Sequence, residues 1–221
     1  FMGFRAVRYC IKNQDLYKTQ LRALMRASAF GDIRIMIPLV TCVEEVRAVK
    51  KLVAEIASEL DQNGVAYNKD IKVGVMMETP AAAVIADLLA KEADFFSIGT
   101  NDLTQYTMSV DRGNKKISYL YSTFNPAVLR SIRHIIACGR ETGIMVGMCG
   151  EAASDPMMVP LLLAFGLNEF SMSASAVLRT RKLVTGFSIK ELQAVAEKAM
   201  SFATAAEVEA YMKEFMEKMT D

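Results

Sequence analysis

Two carboxylate side chains lie where buried strands of a parallel sheet would end. Glu78 follows the apolar residues 73–77, and Asp102 follows the apolar segment 95–99 and a short turn. In parallel α/β folds, functional groups gather at the C-terminal ends of the strands. Two acids brought there by neighbouring strands could hold one Mg²⁺ or Mn²⁺ through oxygen ligands, with water and substrate oxygens completing the shell.

A capping role is the structural alternative for both acids, since carboxylates commonly occupy helix N-termini. Glu78 would then cap the helix that follows it, and Asp102 would cap its own helix. However, Thr79 already provides a cap for a helix whose first residue is Pro80. Glu78 therefore has less of a structural role, and the pattern favours a metal site.

Arginine and amide donors accompany the two acids. Arg112 lies in a polar loop just beyond the strand that leads to Asp102, and Arg5 follows Gly3 near the start of the chain. The fixed fork of arginine donors suits carboxylate or phosphate. From spacing alone, Arg112 is more typical of a solvated surface residue, and the signal at Arg5 is weak. Asn101 could add an amide donor to an anion.

Cys149 ends a predicted strand and precedes Gly150, so its thiol is expected at the same opening as the acids. A thiol there could act as a nucleophile or as a general acid, and an inert, buried cysteine is the equal alternative. The other cysteines, Cys10, Cys42 and Cys138, are predicted to be inert.

Composition excludes several classes of protein. The net charge of +1 over 221 residues indicates no nucleic-acid or membrane surface. No apolar run reaches the roughly 20 residues that a membrane helix needs. A single histidine, His134, makes a Ser-His-Asp triad or a multi-histidine metal site improbable. Cysteines without paired spacing indicate a reduced, cytoplasmic protein.

Helical and strand patterns alternate along the chain, which predicts an α/β fold with about five parallel βα units. The predicted strands are residues 34–40, 73–77, 95–99, 144–148 and 169–172. Capping boxes are predicted at Thr41 with Glu44, Ser188 with Glu191, and Thr204 with Glu207. Because a closed (β/α)₈ barrel needs eight strands, we expect either an open sheet or, as the start of the chain favours, the C-terminal portion of such a TIM barrel.

Several motifs resemble one family closely, over nearly the whole chain. They are residues 3–8 (GFRAVR), 18–23 (KTQLRA), 77–80 (METP), 97–104 (SIGTNDLT), 110–114 (VDRGN), 148–151 (MCGE) and 169–173 (EFSMS). Together they resemble the C-terminal, phosphoenolpyruvate-binding domain of enzyme I of the bacterial sugar phosphotransferase system. The resemblance implies a phosphoenolpyruvate-protein phosphotransferase with a (β/α)₈ barrel that uses Mg²⁺, with Mn²⁺ as an alternative.

The resemblance also assigns roles to individual residues. Glu78 and Asp102 would be the metal ligands. Arg5 and Arg112 would hold the phosphate, Asn101 would contact it, and Asp102 would also touch the substrate. Cys149 would be the acid that protonates the methylene carbon as pyruvate forms.

Residues 1–221 are accordingly expected to be a partial barrel domain that lacks the first strands and the phosphohistidine domain. The implied partners are phosphoenolpyruvate and pyruvate, that phosphohistidine domain, the phosphocarrier protein and a second copy in a cytoplasmic homodimer, with neither nucleic acid nor membrane. Such a piece should be inactive alone. The alternatives are the barrel domain of pyruvate phosphate dikinase or phosphoenolpyruvate synthase, or a non-catalytic module for dimerisation and ligand sensing.

Overall fold

A computed structural model describes residues 2–219, which form one parallel sheet with helices before, between and after its strands. The strands are β1 (Arg34–Ile37), β2 (Lys72–Met77), β3 (Phe95–Gly99), β4 (Met145–Cys149) and β5 (Glu169–Phe170). The helices are α1 (Ala6–Lys12), α2 (Gln14–Ala27), α3 (Val43–Gln62), α4 (Pro80–Val84), α5 (Ala86–Leu89), α6 (Thr100–Met108), α7 (Pro126–Thr142), α8 (Val159–Phe165), α9 (Ala174–Gly186), α10 (Ile189–Met200) and α11 (Ala205–Lys218).

The strands lie side by side in chain order, from β1 to β5, and every neighbouring pair is parallel. The predicted α/β class and the five parallel strands are therefore confirmed. β1 is shorter than the predicted 34–40 because Pro38, which has no N–H to donate, follows Ile37. The backbone of Leu39 then turns to a φ of 56°, away from extended geometry.

The two faces of the sheet differ. Alternate strand residues are apolar and buried against the helices, as the strand period of two requires. They are Ile35, Ile37, Val73, Val75, Met77, Phe96, Ile98, Val146 and Met148. The residues between them point to the opposite face, where Arg34 and Glu169 are exposed and Met36 is 38% exposed. Helices of the described chain therefore bury one face and leave the other open.

The open face forms the floor of a cavity of about 460 Å³. Its lining includes Arg34, Met36, Ser97, Cys149, Glu169 and Ser171. Of the predicted site residues, Cys149 is the one that lines this cavity.

Helix starts follow the sequence signals with some shifts. Thr79 Oγ1 accepts a hydrogen bond from Ala82 N at 3.1 Å, so the predicted start at Pro80 is confirmed. The capping box of Thr204 with Glu207 is confirmed too. At α3 the prediction was wrong by one residue, because Glu45, and not Glu44, accepts from the backbone N–H of Thr41.

Two other predicted features differ from the structure, and one helix was not predicted. Ser188 precedes α10 but makes no side-chain cap, so the box with Glu191 is absent. The helix expected to begin at Asp155 begins at Val159, because Asp155 Oδ1 instead accepts from Met157 N at 2.8 Å and closes a turn. The sequence pattern also missed α1, whose polar and apolar residues alternate too briefly for a clear helical period.

None of the helices within residues 2–219 combines the length and the apolar character that crossing a bilayer requires.

Candidate active site

Glu78 follows the last residue of β2 and is only 5% exposed. Because Met77 faces the helices, strand alternation turns Glu78 toward the open face. Its Oε1 accepts a hydrogen bond from Leu39 N at 2.7 Å. That bond fixes one carboxylate oxygen, and the other oxygen, Oε2, lies toward Gly99 on the next strand.

Asp102 lies beside Glu78, in the first turn of α6. The pKa of Glu78 is raised from its ordinary value of 4.5 to about 7, mainly by burial and, in the same direction, by the neighbouring Asp102 carboxylate. The Leu39 N–H and the positive charge of Arg5 act the opposite way. Asp102 is close enough to share a hydrogen bond with protonated Glu78. The predicted convergence of the two acids is therefore observed.

Gly99 separates Glu78 from Cys149 across the sheet. Gly99 pairs with Cys149 on β4, and a Cβ placed on Gly99 would lie 3.0 Å from the Glu78 Cβ. The three residues thus form one row across three strands, with no side chain at its centre. Adjacent strands are about 4.8 Å apart, so the backbones of Glu78 and Cys149 are roughly 10 Å apart. Gly99 leaves room that the Glu78 side chain occupies, since a Cβ on Gly99 would lie 3.1 Å from Glu78 Oε2.

The Cys149 thiol is half-buried beside two hydroxyl residues. Ser97 Oγ donates to Cys149 Sγ at 3.6 Å, and Thr100 Oγ1 donates to the Cys149 carbonyl at 3.3 Å. The chain then turns at Gly150, whose φ of 106° favours glycine. A Cβ atom at this position would lie only 2.5 Å from Thr100 Oγ1, so the lack of a side chain leaves room for that hydroxyl. Glycine at this turn thus keeps the end of β4 close to the start of α6.

Arg5 is the residue that precedes α1, and its backbone is extended. One guanidinium nitrogen, Nη1, donates to the Tyr106 hydroxyl at 3.4 Å. Its charge also acts on the pKa of Glu78, as described above, so Arg5 lies within electrostatic reach of the acid pair.

Arg112 lies in the loop after α6. Its backbone N–H donates to Gln105 Oε1 at 3.2 Å, which ties the loop to the helix that carries Asp102. The Tyr121 hydroxyl donates to the Asn101 carbonyl oxygen at 3.2 Å. Burial raises the pKa of Tyr121, and the positive charge of Arg112 acts the opposite way, so Arg112 lies within electrostatic reach of this hydroxyl.

Strained backbone is concentrated around the site. Within residues 2–219, the non-glycine residues with positive φ are Ala6 (50°), Leu39 (56°) and Ser109 (53°). Ala6 follows Arg5, Leu39 donates to Glu78, and Ser109 begins the loop that carries Arg112. Such conformations cost on the order of 1 kcal/mol each and cluster at functional sites.

Comparison with known proteins agrees with this geometry. Residues 1–189 match the sequence profile of a family described as PEP-utilising enzyme, PEP-binding domain, where PEP is phosphoenolpyruvate. The chain belongs to this family. The resemblance predicted from the sequence motifs is thereby confirmed.

Relatives of this PEP-binding domain are named phosphoenolpyruvate-protein phosphotransferase. The protein of Bacillus sp. (strain S) is 49% identical over 213 residues, which are 96% of this chain and 37% of the relative. That of Bacillus subtilis (strain 168) is 48% identical over 214 residues, 97% of this chain and 38% of the relative. That of Listeria monocytogenes is 47% identical over 220 residues, 100% of this chain and 38% of the relative. The chain thus spans somewhat more than a third of these relatives.

A solved structure shares the fold of the PEP-binding domain. A citrate lyase from Burkholderia xenovorans LB400 superposes with a TM-score of 0.54 at 16% sequence identity, covering 89% of this chain and 66% of the lyase. At that identity the likeness concerns the fold alone.

The donor set of this PEP-binding domain fits a hard divalent cation. Within residues 2–219 no group of three or more His, Cys, Asp or Glu side chains could hold a metal ion. Glu78 and Asp102 supply two carboxylates, and the pKa of Glu78 is raised mainly by burial and also by the charge of Asp102. A cation such as Mg²⁺, which binds through one or two carboxylates and keeps water or substrate oxygens, would remove the repulsion between the two acids.

Four predicted site residues lie at the C-terminal edge of the sheet, and the two arginines lie within electrostatic reach of groups there; they are Glu78, Asn101, Asp102 and Cys149, with Arg5 and Arg112. Sequence reasoning missed three residues of this PEP-binding domain, namely Leu39, Gly99 and Tyr121. Gly99 carried a usable signal, because a glycine within an apolar strand often marks a close approach to another group. Leu39 carried none, because its contribution is a backbone N–H that any residue except proline provides.

Proposed function

We propose that this chain is the phosphoenolpyruvate-binding domain of a phosphoenolpyruvate-protein phosphotransferase. The observation that carries the proposal is the buried Glu78 beside the half-buried Asp102, at the same edge of the sheet as Cys149, because two neighbouring carboxylates suit a divalent cation. Phosphoenolpyruvate is a small, densely charged anion that would need the cation and both arginines.

We also propose that the five strands form part of a (β/α)₈ barrel. Parallel sheets are normally covered on both faces. Here one face carries helices, and the other presents alternating residues such as Gly74, Ser97 and Gly147. An inner barrel wall has this arrangement, with the functional residues at the C-terminal ends of the strands.

Binding of the substrate is divided between the metal and the arginines. Glu78 and Asp102 would hold Mg²⁺, or Mn²⁺ in its place, and the metal when bound would neutralise charge on the phosphate and enolate oxygens. Arg5 and Arg112 would hold the phosphate from two sides through charge-assisted hydrogen bonds. Asn101 would add an amide contact.

The reaction needs one proton, for which we propose Cys149 as the donor. The bond between phosphorus and the enol oxygen breaks, and the phosphoryl group passes to a histidine nitrogen of a separate phosphohistidine domain. The electron pair left on the enol oxygen forms the carbonyl, and the methylene carbon takes a proton from the Cys149 thiol. Pyruvate leaves, and the thiolate regains a proton from water.

The names of the relatives favour this function over a dikinase or a synthase. The phosphohistidine domain and, through it, a phosphocarrier protein would be the macromolecular partners. We also predict that two copies of the protein pair and that the protein is cytoplasmic. A purely ligand-sensing role would leave the thiol opposite the metal site without a purpose.

Calorimetric titration with phosphoenolpyruvate and Mg²⁺ tests the proposal. We expect wild-type protein to bind phosphoenolpyruvate only when Mg²⁺ is present. Glu78→Gln should weaken that binding at least about tenfold, since it removes one of two anionic ligands. Asp87→Asn removes an exposed carboxylate of α5 and serves as the matched control. Equal binding by both variants, or binding that ignores Mg²⁺, would reject the metal assignment.

Cys149→Ala tests the proton donor separately. This variant should still bind phosphoenolpyruvate with Mg²⁺ but lose pyruvate formation by the complete enzyme. Cys138→Ala, which changes a buried cysteine in α7 remote from the strand ends, is the control. Undiminished pyruvate formation by Cys149→Ala would refute the role.

A further inference from the structure

Tyr106 links the start of the chain to the helix that carries Asp102. It lies in α6, four residues after Asp102, so the two side chains share one face of that helix. Arg5 Nη1 donates a hydrogen bond to the Tyr106 hydroxyl, with 3.4 Å between the two atoms. Because Arg5 and Tyr106 are 101 positions apart, this bond is a tertiary contact that joins the segment before α1 to α6.

The ring of Tyr106 lies beside the chain neighbours of Glu78. It lines a cavity of about 320 Å³ together with Leu39 and Thr79. Leu39 donates its backbone N–H to Glu78, and Thr79 follows Glu78 in the chain. The half-buried ring therefore faces the C-terminal ends of β1 and β2 from α6, and a guanidinium bonded to its hydroxyl lies at the same edge of the sheet.

The two arginines near the start of the chain are held in different ways. Arg8 Nε lies 3.9 Å from Glu45 Oε1, so a carboxylate lies beside its charge. Within residues 2–219, Arg5 makes no ion pair, and its side chain has one hydrogen bond, the one to Tyr106. The Tyr106 hydroxyl is thus the group that fixes Arg5, and it carries no charge.

A neutral hydroxyl is well suited to hold an arginine that must bind an anion. A guanidinium has several N–H donors and no acceptor, so the Tyr106 oxygen accepts and most donors of Arg5 stay available. A carboxylate at position 106 would bind Arg5 more strongly, but it would also offset the positive charge that attracts a phosphate. Tyr106 holds the guanidinium and leaves its charge intact.

We propose that Tyr106 is a positioning residue that holds the Arg5 guanidinium at the C-terminal edge of the sheet, on the face of α6 that carries Asp102. The inference rests on the proposed function in that Arg5 is taken to bind the phosphate of phosphoenolpyruvate. Tyr106 lies outside the motif of residues 97–104, and the names of the relatives assign it no role. It acts through Arg5 and does not itself touch the reacting atoms.

The decisive comparison is Tyr106→Phe against Tyr9→Phe in the intact protein. Tyr9 lies in α1, four residues after Arg5, and its exposed hydroxyl makes no hydrogen bond within residues 2–219. Its variant therefore controls for a tyrosine hydroxyl lost near Arg5. The two ligands are phosphoenolpyruvate and oxalate, both with saturating Mg²⁺. Oxalate chelates a divalent cation through two carboxylates but has no phosphate for Arg5.

Loss of the hydrogen bond from the guanidinium should weaken phosphoenolpyruvate binding by Tyr106→Phe about fivefold, with oxalate binding changed less than about twofold. Tyr9→Phe should leave both affinities unchanged. Equal weakening of both ligands by Tyr106→Phe would indicate a general structural role and overturn the inference. Unchanged phosphoenolpyruvate binding would overturn it as well.

A second measurement needs no ligand. Nitrogen-15 relaxation of the Arg5 Nε–H group reports motion of this side chain on the picosecond to nanosecond timescale. Its order parameter should be lower in Tyr106→Phe than in wild type or Tyr9→Phe, and an unchanged value would overturn the inference. If wild-type protein binds oxalate but not phosphoenolpyruvate, the proposed function fails, and a lower order parameter would still support Tyr106 as the residue that holds Arg5.

Discussion

The two faces of the sheet follow different rules, although the same strands build both. On the covered face, Val75, Phe96 and Ile98 are large and fully buried. On the open face, Gly99 and Gly147 alternate with them and leave space that the side chains of Glu78 and Glu169 occupy. Burying apolar side chains stabilises the fold by roughly 1.5–3 kcal/mol each, whereas the two glycines let carboxylate side chains lie close to the sheet. Stability and binding are therefore carried by adjacent residues that point in opposite directions.

Ile98 and Gly99 give the sharpest test of that division, because they are neighbours on β3 that face opposite sides. Ile98→Ala should lower the free energy of unfolding by about 2–5 kcal/mol, through lost burial and the cavity left behind. At temperatures where the variant stays folded, its affinity for phosphoenolpyruvate and Mg²⁺ should be close to that of wild type. Urea unfolding and calorimetry measure the two quantities.

Gly99→Ala should show the reverse pattern. Its new methyl group would lie 3.1 Å from Glu78 Oε2, so the carboxylate must move. We expect at least about tenfold weaker Mg²⁺-dependent binding, with a stability loss of roughly 1 kcal/mol. If Ile98→Ala impaired binding as much as Gly99→Ala, the separation of the two faces would be wrong.

The contribution of Glu78 to stability depends on pH, whereas that of the apolar residues on the covered face does not. Its folded pKa is about 7, against an ordinary value of 4.5. Because the folded state prefers the protonated form, this group favours folding below pH 4.5, and its contribution falls as pH rises toward 7. In the absence of metal, this decrease in the free energy of unfolding should approach about 3 kcal/mol.

The measurement compares wild type with Glu78→Gln in urea unfolding between pH 4.5 and 7.5, without divalent metal. The uncharged amide should remove the decline, so the stability of the variant relative to wild type should increase steadily with pH. Saturating Mg²⁺ should restore wild-type stability at pH 7.5, because the cation offsets the repulsion between Glu78 and Asp102. A constant difference across this pH range would contradict the buried, repelled state of Glu78.

The covered face explains why much of the fold could be predicted from sequence. The alternation in Phe95–Gly99 and the cap at Thr79 are local patterns, so the strand and the helix start were both predicted correctly. The acids at the strand ends were predicted for the same reason. Leu39 and Tyr121 were missed because each acts through a residue that is distant in sequence. Leu39 contacts Glu78, which lies 39 positions later, and Tyr121 contacts Asn101, which lies 20 positions earlier. Such contacts leave no periodic signal in the chain.

Ser109 offers the smallest and cleanest test of the strain at the site edge. It ends α6 with a φ of 53° and an exposed side chain, in a conformation that glycine adopts at no steric cost. Ser109→Gly should therefore raise the free energy of unfolding by about 0.5–1 kcal/mol.

Ser201→Gly is the matched control, because Ser201 ends α10 with an ordinary right-handed backbone and is likewise exposed. There glycine relieves no strain and adds freedom to the unfolded chain, so stability should stay constant or fall slightly. Equal effects of the two substitutions would show that the left-handed turn at Ser109 stores no strain. If Ser109→Gly gains stability but loses affinity for phosphoenolpyruvate, the strained turn also serves to place the Arg112 loop over the site.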